Sequence, residues 1–278
     1  EHMTRVPIGP SLFKSGAMSV NPALYRDERY RRWDMATTMN MGLTAEKLAT
    51  HSGIERGAMD DWAVRSHRRA AAAQADGFLA GEILPISAEQ ADGTMLDVDR
   101  DQAVRPDIDL AGTAQLKPVF RTDGVITAGN SSPLSSGAAA MLLLSREQAE
   151  RRGITARFAV RSFGMAGVDP TLMGIGPVPA TTMALEKAGL SADAIDFWEI
   201  NEAFSVVVLH CIRQLFIDPE RVYIHGGALA LVHPLGATGV RLAGTLARVL
   251  DEQDGRYGCA TACVGGGQGV ALIIERLA

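Results

Sequence analysis

The stretch HGGALALVHPLGATG, residues 225–239, places a histidine and a proline among glycines and small apolar residues, directly before a helical pattern over 236–252. An imidazole at such a junction stands where a rigid element can present it to a site. Downstream, the spacing of apolar residues predicts strands at 257–263 and 269–276. Upstream it predicts a strand at 221–225, a helix at 202–216, a strand at 195–200, a helix at 179–189 with Pro at its start and Gly at its stop, and a strand at 156–164. Strands alternating with helices in this way define a layered α/β architecture, helices packed on a mixed sheet.

Earlier in the chain the pattern loosens. Residues 1–40 read as loop-rich with apolar anchors, and GLTAEKLATHSG as a helix with Thr44 as N-cap and Gly53 as stop. An Ala-rich helix follows and ends near Gly77, EILPIS reads as a short strand, and the acidic region 91–111 as a surface loop. VITAGNSSPLSSGAAAMLLLS runs from a turn cluster into an apolar strand, and SREQAERRG after it reads as a capped amphipathic helix. The shift in character places a boundary within 120–155.

Composition narrows the function classes. The 278 residues are 47% hydrophobic and 21% charged, with a net charge of −5, which fits a globular core and gives no chain-wide basic field for nucleic acid despite the local RSHRRA at 65–70. No apolar run is long enough to predict a membrane span, and the first residues lack the apolar stretch of a secretion signal. Cys211, Cys259 and Cys263 form neither a disulfide framework nor a zinc-type pair. Free thiols in the cytoplasm, or an organelle matrix in a eukaryote, are the expectation, with no metal.

Four segments set polar or reactive groups beside small residues: TAGNSSPLSSGAAA (127–140), INEAF (200–204), the opening stretch, and ACVGGGQG (262–269). Each has a bland reading of its own. Asn201 can cap the helix that follows it, His233 can be a bonded core histidine, Cys263 a small buried apolar residue, and GGG a turn.

Taken in order, the last three segments closely resemble the thiolase family, whose second half carries N-E-A-F, then G-G-x-x-A-x-G-H-P-x-G-x-[ST]-G, then C-x-G-G-G-x-G. MGLTAEKLA resembles the start of that family's substrate-covering loop domain, TAGNSSPLSSGAAA its CoA-contacting turn, and EHMTRVP the segment after its nucleophile. MGLTAE and MGIGPVPA (173–180) are more similar to degradative 3-ketoacyl-CoA thiolases of β-oxidation than to short-chain biosynthetic enzymes. The resemblance implies a thiolase-like α/β/α/β/α fold. Residues 1–120 would be the loop domain, 121–154 the end of the N-terminal thiolase domain, and 155–278 the C-terminal one.

It also implies a chemistry. A cysteine thiolate attacks the keto carbon of a 3-ketoacyl-CoA, the enolate of acetyl-CoA leaves, and CoA thiol takes up the shortened acyl group. By resemblance His233 activates the nucleophile and shares an oxyanion site with a water held by Asn201. Cys263 exchanges the proton of the enolate carbon, and the Gly265 N–H belongs to the second oxyanion site. Ser132 and the backbone at Ala128 and Gly129 would meet pantetheine or acyl-CoA, and Met41 would line the acyl pocket. CoA and acyl-CoA enter as substrates, with no permanently bound cofactor. A homodimer or dimer of dimers, within a larger β-oxidation complex, completes the implied setting.

Three departures matter. The family's nucleophilic cysteine lies upstream of the segment that EHMTRVP resembles, and none of the three cysteines here replaces it. The expectation is that a leading thiolase segment comes from the same or a second polypeptide, and that this chain alone exposes an apolar face and is inactive. Val232 stands where glycine usually precedes the histidine, and His225 where asparagine is usual. An alternative is therefore a non-catalytic thiolase-like subunit that binds acyl-CoA or lipid or serves a structural role.

Overall fold

The computed structural model describes Glu28 and residues 34–277. The loop-rich reading of residues 1–40 lies outside the described residues up to residue 33, Glu28 apart, and within 34–40 it is overturned at residues 35–38, which are helical. A short helix, α1 (Met35–Thr38), leads into α2 (Met41–Ser52) and α3 (Arg56–Ala75). The cap of α2 is Asn40, whose side chain accepts from Leu43 N at 3.2 Å, and not Thr44. Thr44 lies in the first turn, where its hydroxyl donates to Met41 O. Gly53 ends α2 as expected, in the left-handed conformation at φ 59°.

The acidic region read as a loop contains half of a hairpin. Strands β1 (Ile86–Glu89) and β2 (Met95–Val98) pair antiparallel, Ile86 opposite Val98, and a four-turn-residue signal at ADGT closes them. Helices α4 (Leu110–Ala114) and α5 (Arg146–Arg151) follow, the latter capped by Ser145. Between them, residues 138–144, expected as a strand, take no regular structure: Leu142 and Leu143 are 76% and 70% exposed. A lone extended segment leaves its N–H and C=O groups unpaired, and no described strand lies beside this one.

The second half is built on one sheet. Strands β3 (Phe158–Gly167), β4 (Phe197–Ile200), β5 (Tyr257–Val264) and β6 (Gln268–Arg276) stand in the order β3-β6-β5-β4. Neighbours are antiparallel except β4 and β5, which run parallel with Ile200 opposite Thr261. Helices α6 (Pro177–Ala188), α7 (Ser205–Leu215), α8 (Ala228–Leu231) and α9 (Leu235–Glu252) complete the chain. The strand expected at 221–225 is a turn with a single bridge from Val222 to Trp198, and Tyr223 at φ 49° cannot continue a strand. The helix α8 was not expected.

Alternation along β5 explains how the sheet is covered twice. A Cβ at Gly258 would meet Leu246 of α9, whereas the next residue, Cys259, lies beside Thr181 of α6 on the opposite face. With both faces covered, β5 is buried almost throughout, and its apolar run lacks a polar stripe. The core joins α2, α3, α6, α7 and α9 to this sheet through residues such as Leu48, Trp62, Trp198 and Ile273.

Candidate active site

Parallel strands β4 and β5 end at the same edge of the sheet, a position where open α/β folds place reactive groups. Asn201 follows β4 directly and its N–H donates to Thr261 O at 2.8 Å, so it is tied to the strand that carries Cys263 two residues further on. The capping role is excluded, because Phe204 is the N-cap of α7. Asn201 is fully buried, and its Nδ2 lies 3.2 Å from His233 Nε2. Its Oδ1 is buried with no partner among the described residues, an exception to the rule that buried polar atoms are bonded.

His233 is half-buried between α8 and α9, with Nδ1 2.6 Å from Thr238 Oγ1. The preceding residue explains the usual glycine. Val232 sits at φ 62°, ψ 170°, a region open essentially to glycine alone. His225 lies elsewhere: its ring stacks on Phe78 at 3.7 Å, and Nε2 meets Glu252 Oε2 at 2.6 Å.

Cys263 opposes Gly269 at the end of the β5–β6 hairpin, whose turn is Gly265, Gly266 and Gly267. Burial pushes the Cys263 thiol up to about 12, so it is protonated at neutral pH. Cys259 is pushed up to about 12 by the same cause, and Cys211 is raised well above its ordinary value. The three glycines differ: Gly265 is exposed beside Met41, with Sδ 3.1 Å from where a Cβ would stand, Gly266 adopts φ 85°, and a Cβ at Gly267 would strike Val168 O and Pro170. Met41 and Gly265 are therefore neighbours.

The 127–137 loop runs alongside. Ser132 N donates to Ala203 O and Ser205 N to Asn130 O, both at 3.0 Å, so the loop pairs antiparallel with the residues after Asn201. A Cβ at Gly137 would strike Pro234, which brings the same loop to the histidine. Ala128 is exposed, and a Cβ at Gly129 would meet Leu116 and Thr113, so Gly129 faces the 113–116 segment. Three surface cavities of about 500, 470 and 550 Å³ flank α3 and Arg248, and none is lined by Asn201, His233 or Cys263.

Two supporting residues were not singled out from the sequence. Glu202, fully buried, accepts from Trp62 Nε1 at 2.7 Å, Ser66 Oγ at 2.7 Å and Leu229 N at 3.1 Å, and Ser66 Oγ in turn accepts from Gly227 N at 3.0 Å. Burial raises the Glu202 carboxyl despite these donors. Thr238 is the other. Both occupy motif positions, the E of N-E-A-F and the [ST] of the histidine motif. No helix among the described residues is long and apolar enough to cross a membrane.

The description "Thiolase, N-terminal domain" matches residues 1–147 and "Thiolase, C-terminal domain" residues 154–276. The chain belongs to the thiolase family. The 3-ketoacyl-CoA thiolase of Vibrio vulnificus is 47% identical over 85% of this chain and 62% of its own length, and that of Cronobacter sakazakii is 43% identical over 100% and 70%. Among solved structures, the Bacillus anthracis acetyl-CoA acetyltransferase superposes with a TM-score of 0.83 at 40% identity, covering 85% of this chain and 60% of that one. Human mitochondrial 3-ketoacyl-CoA thiolase gives 0.80 at 36%, covering 88% and 62%. The chain thus spans 62% of the Vibrio vulnificus relative that it matches.

Proposed function

We propose that this chain supplies the base, the second thiol and the oxyanion donors of a 3-ketoacyl-CoA thiolase, an acyltransferase that cleaves 3-ketoacyl-CoA with CoA to give acetyl-CoA and a shortened acyl-CoA. The observation that carries the reading is the direct Asn201–His233 contact at the shared end of β4 and β5, with a protonated thiol on the adjoining strand.

His233 takes the proton of the attacking cysteine. That cysteine is none of Cys211, Cys259 and Cys263, which are all buried with their thiolates disfavoured, and a segment outside these 278 residues supplies it. The unpartnered Oδ1 of Asn201 suits a water whose own proton then faces the thioester oxygen. Cys263 delivers its proton to the enolate carbon of the departing acetyl-CoA. Residues 1–120 cover the site, 121–154 end the first thiolase half and 155–278 form the second. A symmetric oligomer acting in fatty-acid degradation inside the cell completes the proposal.

The test combines the chain with a thiolase segment bearing the nucleophile, adds a 3-ketoacyl-CoA and reads acylation by intact mass. The expected result is one acyl adduct on the supplied cysteine, absent in His233→Ala. An adduct that survives in His233→Ala overturns the base assignment. CoA binding without any adduct in the unaltered protein overturns catalysis in favour of a binding subunit.

A further inference from the structure

We propose that Thr238 is a positioning residue that holds His233 in the Nδ1–H tautomer and so leaves Nε2, the nitrogen facing Asn201, as its basic atom. The inference rests on the thiolase reading for its consequence in catalysis, though not for the proton's position.

The argument follows hydrogens. Thr238 Oγ1 lies 2.8 Å from Pro234 O and 2.6 Å from His233 Nδ1. A carbonyl oxygen only accepts. Pro234 O already receives the N–H groups of Ala237 and Thr238, both at 3.0 Å, so a third oxygen at 2.8 Å is tolerable only with a proton between the two. The hydroxyl's single hydrogen is thereby committed to Pro234, and the oxygen faces Nδ1 as an acceptor. Nδ1 must carry the proton.

The other side of the ring agrees independently. Asn201 donates through Nδ2 to Nε2 at 3.2 Å, which requires a lone pair there. The reverse arrangement, Nε2–H to Oδ1, would leave the amide N–H₂ as the fully buried group without a partner in place of Oδ1. Buried donors without partners are rarer than buried carbonyls without partners. Ordinary back-bonding of a helical threonine to the carbonyl four residues earlier accounts for the Pro234 contact alone. It does not account for an imidazole nitrogen at 2.6 Å on the same oxygen.

The tautomer is read by ¹⁵N NMR of histidine-labelled chain over an alkaline pH series, the ring ¹⁵N shifts themselves showing where the imidazole is neutral. Expected are a protonated Nδ1 and a bare Nε2 for His233 in the unaltered chain. Thr238→Val should move the proton to Nε2, and Thr238→Ser should restore it. In the complemented enzyme, Thr238→Val should lower kcat by about 10²–10⁴-fold with little change in KM, the scale of a general base in the wrong tautomer. Serine should recover most of that loss. A His233 found protonated at Nε2 in the unaltered chain overturns the proposal without any variant, as does a Thr238→Val ring with its proton still on Nδ1. Lack of turnover in the unaltered enzyme refutes the thiolase reading instead, and the NMR result is unaffected by it.

Discussion

Replacing Val232 by glycine and by alanine separates backbone strain from side-chain packing at the residue that delivers His233. Val232 occupies φ 62°, ψ 170°, where any residue with a Cβ is strained by about 1–3 kcal/mol. Val232→Gly removes that strain but also the packing of a half-buried valine and adds unfolded-state freedom, so its net effect is small and uninformative alone. Alanine loses nearly the same packing while keeping the strained Cβ. The difference between the two variants is then the strain less about 0.5–1 kcal/mol for the extra freedom of glycine, leaving glycine more stable by roughly 0–2.5 kcal/mol. At an ordinary position the sign is opposite. Urea unfolding of both variants under one buffer measures the difference, and with about 2–4 °C of melting temperature per kcal/mol for a chain of this size, thermal unfolding resolves it as well. Alanine more stable than glycine would refute the strain and with it the explanation of why glycine usually precedes this histidine.

Other outcomes follow from the buried charges and thiols. With Cys263 and Cys259 pushed up to about 12, their thiolate fraction at pH 8 is about 10⁻⁴, against roughly a quarter for a free thiol near 8.5. Iodoacetamide should therefore modify the folded chain about a thousandfold more slowly than the urea-unfolded chain, and rapid labelling of Cys263 would contradict its burial. Because both values are raised on folding, the stability they contribute is complete below about pH 8.5 and is lost as pH rises toward 12. Glu202→Ala strands the donors of Trp62, Ser66 and Leu229, at a cost of about 3–5 kcal/mol by chemical denaturation. Arg241 is the cation that offsets burial at Glu199, whose carboxyl is held well above its usual range. Arg241→Met should raise it further, so the extra loss of stability should appear only at pH values high enough to ionise Glu199 in the unaltered chain, read by urea unfolding across an alkaline pH series. A loss independent of pH throughout that series would remove Arg241 from that role.

How much of this was visible in the sequence depends on where each residue's partners lie. The sheet of the second half was legible because β5 and β6 carry unbroken apolar runs, and α9 carries a long helical period between clear start and stop signals. His233 stood out because a glycine-rich motif surrounds it and Asn201 because it opens N-E-A-F, and the structure brings the two within 3.2 Å. The cap of α2 was misplaced because Asn40 and Thr44 are both capping types, and only the backbone conformation of Asn40, extended at ψ 104°, selects between them. The hairpin at 86–98 was half missed because Asp and Glu on an exposed strand look like loop composition. Residues 138–144 show the opposite error: their apolar pattern is a strand pattern, but a strand exists only with a neighbour. Thr238 and Glu202 could not be weighed from the sequence, since their importance lies in bonds to His233 and across to α3.

The carboxylate of Glu202 gathers an indole, a hydroxyl and a main-chain amide from two separate parts of the chain. Helix α3 cannot lift away without stripping Trp62 and Ser66 from it, and the turn before His233 cannot open without taking Leu229. These motions are thus bound into one cooperative opening event. Deuterium should enter the amides of Gly227 and Leu229 at the same pace as those in the middle of α3, as though the two segments were one foldon.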